Sequence, residues 1–149
     1  VSEDAQIGYP PVRLMSPPDM QWQTWYLGFR KAMEALLTGD AMTGIEAVDS
    51  GFANKAFSVN ELDDEVTAIA ARIAKIPSDL LALNKRSVHR AMEAMGVREG
   101  IRATAEIQAL GFHQKSSKEY MKRFKDEGVS KTLSDRDKPF GDYREKDSK

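Results

Sequence analysis

The chain has 149 residues, of which 41% are hydrophobic and 30% charged, so it has the composition of a globular domain with one buried core. Its 22 Lys and Arg nearly balance its 23 Asp and Glu, and this net charge of -1 argues against a nucleic-acid-binding role. With no Cys it has no disulfide and no thiolate metal site, which favours a cytoplasmic protein. No apolar run reaches the roughly 20 residues that span a bilayer, so no membrane partner is predicted.

The first third of the chain predicts loops, two short helices and a strand. Four of the six prolines lie in the first 18 residues, so residues 5–27 are predicted to be extended or looped, with a helix beginning at Phe29 and ending at Gly39. Thr43 and Glu46 have capping-box spacing at the start of a second helix. "FANKAF" predicts one short strand. Because Val1 is not a start methionine, we expect the chain to begin inside a domain.

The remainder of the chain predicts four longer helices and a polar end. The first is expected to be capped by Ser58, which repeats the capping-box spacing with Glu61, and the second by Ser78. The third is predicted to run from about Val97 to Phe112, and the fourth to be capped by Ser117, with Tyr120 and Phe124 one turn apart. Residues 129–149 predict an ordered hook that frays into a tail. His89 and His113 have no acid and nucleophile at a recognisable spacing, so neither a triad nor a metal site is predicted. The helices have more apolar faces than one or two strands can cover.

The order of four segments carries a family resemblance: "SEDAQIGYPPVRL", "ALLTGDAMTGIEAVDSGFANKAF", "VNELDDEVTAIAARIAKIP" and "LNKRSVHRAME". Over residues 2–124 the chain resembles the C-terminal half of the crotonase, or enoyl-CoA hydratase/isomerase, family. "LLTGDAMTGIEAVDSGFANKAF" is similar to the family run L-T-G-x-x-x-x-A-x-E-A-x-x-x-G-L-V, with Gly44 where a small or polar residue is usual. The implied fold is α/β crotonase-like, a ββα spiral, with this chain as its mainly helical C-terminal half containing one or two short strands.

The resemblance divides the chain into three parts and implies its partners. Residues 1–57 would end the spiral core and form an active-site wall, residues 58–128 would be trimerisation helices, and residues 129–149 the hook and tail. The expected partners are the N-terminal half of the same protein, further copies in a homotrimer or dimer of trimers, and an acyl-CoA substrate. Coenzyme A would enter as part of that substrate, with no separate cofactor.

The implied function is that of an acyl-CoA thioester enzyme of fatty acid metabolism, working through an enolate that an oxyanion hole stabilises. Enoyl-CoA hydratase is the first expectation. An enoyl-CoA isomerase, a C–C bond hydrolase and a non-catalytic crotonase-like subunit are the alternatives. The oxyanion-hole donors and the first acid/base position of the family would lie in the N-terminal half, so catalysis is expected only when both halves are present.

"GYPPVRL" departs from the family pattern at one residue. The matching family segment reads G-x-P-E, where the glutamate is the second carboxylate acting at C2 and C3 of the substrate, and here that place is held by Pro11. Proline carries no proton, so the two-glutamate mechanism cannot be transferred. Either Pro11 stiffens an edge segment, or it shapes an apolar substrate wall together with Leu14 and Met15.

The following segment, "SPPDMQWQTWYLGF", replaces a glycine-rich family run. Asp19 is its only carboxylate, and some family members place a working aspartate in this region, so Asp19 is the candidate catalytic residue; the alternative is a helix cap. We expect a catalytic Asp19 to be buried beside Trp22. Trp22 and Trp25 can share one side of a helical turn, as core packing or as a surface for a bulky or cyclic acyl group.

The coenzyme A contacts are expected on the C-terminal helix. The family pattern there is F-x-x-K, and Phe124 matches its aromatic residue, whereas Glu127 stands at the lysine position. A neighbouring basic residue, such as Lys125, would then have to reach the phosphates. The alternative is that these charges form a solvated helix face.

Overall fold

The computed structural model describes residues 1–141, and this part of the chain is mainly helical, as the sequence predicts. It contains two short 3-10 helices, Pro10–Arg13 and Lys138–Phe140. The α-helices of residues 1–141 are α1 (Trp22–Thr38), α2 (Gly44–Asp49), α3 (Leu62–Ile73), α4 (Ser78–Ala94), α5 (Val97–Phe112), α6 (Lys115–Glu127) and α7 (Val129–Asp137).

The expected strands are present only as two single-residue bridges within residues 1–141. Ser2 pairs with Phe57 in parallel, and Ile7 pairs with Met42 in antiparallel orientation. In the second bridge each amide donates to the opposite carbonyl at 2.9 Å. Neither pairing extends further along the chain, because a turn follows Ser2 and the 3-10 helix at Pro10 follows the second bridge.

A close approach of the N-terminal segment explains why Gly44 departs from the family run. The Gly44 amide donates to the Glu3 carbonyl at 3.0 Å, which brings the start of α2 against the N-terminal segment. A Cβ atom at position 44 would lie 1.8 Å from the carbonyl oxygen of Ser2. Only glycine therefore permits this approach without a backbone shift.

Helix α1 begins earlier than predicted. A first segment, residues 22–27, is joined to the expected helix across Gly28, which has φ 70° and ψ 164°. The second segment ends at Gly39 as predicted, with φ 72° and its amide bonded to the Ala35 carbonyl at 2.9 Å. The first segment contains aromatic residues with modest helix propensity, and it is fixed by a tertiary contact: the rings of Trp22 and Phe52 lie 4.9 Å apart.

The capping box of α2 is confirmed, whereas its repeat before α3 is not. Thr43 accepts a bond from the Glu46 amide at 3.2 Å, and its own amide donates to the Glu46 carboxylate at 2.8 Å. The Ser58 hydroxyl instead donates to the Glu61 carboxylate at 2.5 Å, and α3 begins only at Leu62 without a side-chain cap. Ser58 lies one turn too early to reach the free amides of α3.

Two other predicted caps are wrong. Ser78 is the first residue of α4, whose cap is Pro77, and Ser117 lies inside α6, which begins at Lys115. The predicted bounds of α5 are confirmed. In residues 129–140, α7 and the second 3-10 helix form a structure that we call the C-terminal hook; the expected tail at 142–149 lies outside the described residues.

Most apolar faces of the later helices are not covered within the described chain. The buried apolar residues of this part are Ala32, Ala47 and Tyr120. By contrast, Phe29, Leu37 and Met95 are between 70% and 80% exposed, and α3 has no buried residue. Within residues 1–141, no helix combines the length and hydropathy needed to cross a membrane.

Thr43, before α2, and Ser58, before α3, form a matched test of helix capping. Thr43→Ala removes the acceptor for the Glu46 amide and is expected to lower the free energy of unfolding by about 1 kcal/mol. Ser58→Ala removes no cap and is expected to cost clearly less. Urea unfolding of the complete protein at one protein concentration measures both. Equal losses would contradict the assignment of the caps.

Candidate active-site wall

The segment expected to form the substrate wall is a tight turn, not an extended edge. Pro11 lies in the 3-10 helix Pro10–Arg13. Proline suits the first two positions of a helix, because the backbone N–H that it lacks would have no acceptor within the helix there. The Pro11 carbonyl accepts the amide of Met15 at 2.8 Å and that of Ser16 at 3.1 Å. The expectation that Pro11 is extended is therefore wrong, and its backbone organises the turn that follows.

Arg13 anchors this turn to two distant parts of the chain. Its side chain is 1% exposed, and its guanidinium makes three bonds: Nε to the Thr38 carbonyl at 2.9 Å, Nη2 to Asp40 at 2.9 Å and Nη1 to Asp137 at 3.0 Å. The Phe140 ring covers one face of the guanidinium at 4.2 Å. These contacts satisfy a buried charge through the end of α1 and the C-terminal hook.

The acid that reaches Arg13 from the hook is held ionised. Partial burial acts to raise the pKa of Asp137, but hydrogen bonds from Arg136 and Arg13 outweigh it and keep that pKa below its usual value. Both Arg136 bonds to Asp137 are short, at 2.8 and 2.7 Å. Because the folded state lowers this pKa, the ion pairs stabilise the fold at neutral pH, and that contribution is lost as the pH falls through the lowered pKa.

The turn forms one side of a cavity of about 260 Å³. Leu14 and Met15, which are predicted to contact substrate, line this cavity, and Arg13 lines it beside them. The opposite side is formed by the end of α5 and the start of α6, including Gly111. The Ser117 hydroxyl donates a short hydrogen bond to the Met15 carbonyl, which ties the turn to α6.

The two tryptophans line a second, smaller cavity of about 170 Å³. Trp22 and Trp25 lie on one side of the first segment of α1, and Met92, Val97 and Ile101 lie opposite on or beside α4 and α5. Its lining is almost wholly apolar. The predicted substrate residues are thus divided between two cavities, which share Gln21, and Pro11 lines neither of them.

Asp19 lies between these cavities and is exposed. Its neighbours Pro18 and Met20 line the first and the second cavity, and its carbonyl accepts a bond from the Thr104 hydroxyl at 2.8 Å. The expected burial beside Trp22 is wrong. The alternative, that Asp19 caps a helix, is also wrong. The N-cap position of α1 is Gln21, and no side chain accepts a bond from the free amides of its first turn. Among residues 1–141 the Asp19 carboxylate has no hydrogen bond or ion pair.

The residues expected to bind coenzyme A lie on α6, apart from both cavities. The ring of Phe124 packs edge-on against buried Tyr120 at 4.9 Å, which confirms the predicted pairing one turn apart. Lys125 is exposed. Phe124 and Lys125 therefore differ in surroundings, because the first packs against Tyr120 of the same helix while the second is exposed to solvent.

The residue at the family's lysine position is firmly anionic. Hydrogen bonds from Arg123 and Lys131 lower the pKa of Glu127 to about 2. Arg123 also pairs with Asp135 of α7 at 2.6 Å. This pairing occupies Arg123 in joining α6 to α7, so it is poorly placed to receive a phosphate.

Arg13 is not among the site residues that the sequence predicts. Its signal was present, since an arginine stands between Val12 and Leu14 in a segment predicted to face an apolar wall. A charge in that place requires partners. Which acids supply them could not be read from the sequence, because Asp137 is 124 positions away.

Comparison with known proteins supports one family. The sequence model described as enoyl-CoA hydratase/isomerase matches residues 1–131. A Dictyostelium discoideum protein named "Probable enoyl-CoA hydratase, mitochondrial" is 33% identical over 125 residues, which are 82% of this chain and 45% of that protein.

Solved structures agree with this match. An enoyl-CoA hydratase from Mycobacterium smegmatis superposes with a TM-score of 0.91 at 28% identity, over 95% of this chain and 49% of that one. A probable enoyl-CoA hydratase from Mycobacterium thermoresistibile gives 0.72 at 34% identity, over 75% and 48% of the two chains. The chain thus spans about half the length of these relatives. Because the family model matches most of the chain and the helices superpose on solved hydratases, the chain belongs to the enoyl-CoA hydratase/isomerase, or crotonase, family.

Proposed function

We propose that the complete protein is an acyl-CoA thioester enzyme of the enoyl-CoA hydratase type, and that this chain supplies the C-terminal wall of its active site. The observation that carries the proposal is the superposition of 95% of the chain on a solved enoyl-CoA hydratase. The thioester enolate would be stabilised by an oxyanion hole in the N-terminal half, where one donor contributes about 2.7–4 kcal/mol. The experiment that tests it is an enoyl-CoA hydration assay on the complete protein, with this chain alone as the control. Turnover by neither would refute the proposal.

The proposed partners follow from the uncovered helix faces. An N-terminal half of the same protein and further copies, in a trimer or a dimer of trimers, would cover residues such as Phe29 and Leu37. Residues 58–128 would then be the trimerisation helices and residues 1–57 the end of the spiral core. A cytoplasmic location and a place in fatty acid metabolism belong to the same proposal.

The second cavity supports a substrate with a cyclic acyl group. Its volume of about 170 Å³ suits one six-membered ring, since an apolar cavity of about 150 Å³ is large enough to hold benzene. Trp25 and Trp22 would contact the ring with their indole faces. Leu14 and Met15 would line the adjoining space, and exposed Lys125 is the proposed contact for a coenzyme A phosphate, with Phe124 packing beneath it.

Trp25 is expected to determine this preference. Trp25→Leu should lower kcat/KM for an aryl-substituted enoyl-CoA by about 10-fold or more, because ring stacking and apolar contact are lost, and should affect a four-carbon enoyl-CoA less. Phe29→Leu is the control, since it changes an aromatic residue of α1 that lines neither cavity. A similar loss for both substrates would argue against an aryl cavity.

Asp19 is proposed to carry the proton that this half contributes to the reaction. It is the only carboxylate between Ile7 and Arg30, and no partner within residues 1–141 occupies it. Asp19→Asn is expected to lower kcat on the order of 10²-fold with little change in melting temperature, the usual scale for a general acid or base. Asp49→Asn, at an exposed carboxylate of α2, is the control. Unchanged turnover of Asp19→Asn would move the proton transfer to the N-terminal half.

Pro11 allows the missing carboxylate to be restored. Pro11→Glu is expected to raise hydration of a short enoyl-CoA, because the glutamate would stand where the family places its second acid/base group. The cost in folding should be about 1 kcal/mol or less, since the second position of a 3-10 helix needs no amide partner and only the rigidity of proline is lost. Pro10→Glu, one residue away, is the matched control. Severe unfolding of Pro11→Glu alone would show that the proline is structural.

A further inference from the structure

We propose that Arg13 is a positioning residue of the active site, through which the C-terminal hook holds Leu14 and Met15 in place on the substrate wall. The inference rests on the proposed function, since the wall meets a substrate only in an acyl-CoA enzyme. It concerns residues that neither bind the reacting atoms nor transfer a proton. These residues link the hook to the cavity of about 260 Å³.

The turn that carries the wall is too short to fix its own position. A four-residue 3-10 helix is a marginal structure with few internal bonds. The amides of Leu14, Met15 and Ser16 all donate to the single carbonyl of Pro11. The position of these three residues therefore follows the position of the helix, which the side chain of Arg13 fixes from its last residue.

The hook supplies a contact that Arg13 cannot replace locally. A buried guanidinium requires acceptors around it, because an unpaired buried charge is strongly unfavourable. Thr38 and Asp40, both near the end of α1, accept from Nε and Nη2, and the acceptor of Nη1 is Asp137 of the hook. Arg136 binds both oxygens of Asp137, Nε to Oδ1 and Nη2 to Oδ2, and so fixes the carboxylate whose Oδ1 also accepts from Arg13.

A second contact between the hook and Arg13 acts on the guanidinium face. The Phe140 ring lies 4.2 Å from the guanidinium carbon and shields it from solvent. The wall is also tied to α6 by the bond from Ser117 to the Met15 carbonyl. Met15 is thus held through Ser117 of α6 and through the 3-10 helix that Arg13 anchors, and the hook contacts Arg13 directly, through Asp137 and Phe140.

The test compares two aspartates of the hook in the complete protein. Asp137→Asn weakens the bond to Arg13, whereas Asp135→Asn makes the same substitution two residues earlier, where the partners are Arg123 and Lys131. For Asp137→Asn we expect kcat/KM for an enoyl-CoA to fall about 10-fold, mainly through kcat, because small displacements of positioning groups are costly. Hydrogen exchange at the Met15 and Ser16 amides should become faster. Asp135→Asn should leave both measurements within about twofold.

A second variant keeps the test decisive if Asp137→Asn does not fold. Phe140→Leu leaves every bond to Arg13 intact and changes a ring that is 49% exposed, so folding should survive. It is expected to produce the same changes to a smaller degree. Arg13→Lys, which keeps the charge and loses the planar set of donors, should reproduce the full effect.

The outcomes separate this inference from the proposed function. A lower melting temperature for Asp137→Asn with unchanged kcat/KM and exchange would overturn the inference and leave Arg13 purely structural. Equal effects of the two aspartate variants would overturn it as well. If the complete wild-type protein turns over no enoyl-CoA, the proposed function fails, and the exchange measurement alone then supports or overturns the coupling between hook and wall.

Discussion

The described structure depends on one buried charge. A guanidinium that is 1% exposed costs several kcal/mol to remove from water unless its donors are bonded. Arg13 meets this requirement only if the end of α1 and the C-terminal hook both reach the 3-10 helix that carries it. The constraint therefore brings together segments that lie up to 124 positions apart in the chain.

The same constraint shapes the candidate site. The turn after Arg13 forms one side of the larger cavity, and the chain then passes through Asp19 to the tryptophans of the smaller one. Thr104 and Ser117 bind carbonyls of this connecting segment from α5 and α6. The backbone carbonyls of Met15 and Asp19 are thus hydrogen-bonded, whereas the Asp19 carboxylate has no hydrogen bond or ion pair within residues 1–141. Asp19 is therefore the carboxylate of this segment that remains available for the proton transfer proposed above.

Family membership and the shape of the chain fit together. The chain spans about half of the solved hydratases on which it superposes, and its later helices carry apolar faces that the described residues do not cover. The departures from the family's usual residues, at Pro11 and Glu127, lie in or near its proposed catalytic and coenzyme contacts. Glu127 is bound by Arg123 and Lys131, so an anion stands where the family pattern has a cation. Both departures change the charge or proton-carrying group at these proposed contacts, and the chain still superposes on the solved hydratases.

The sequence by itself determined the features that depend on near neighbours. The bounds of α5, the glycine that ends α1 and the capping box of α2 rest on patterns within a few residues, where helix bonds and periodicity act. The family resemblance rests on the order of four such segments along the chain. Only the tertiary structure decided where α1 begins, that Ser117 holds Met15 instead of capping a helix, that Asp19 is exposed and that Arg13 is buried. Those outcomes depend on partners between 25 and 124 positions away, and no local pattern selects such partners because the folded chain as a whole brings them together.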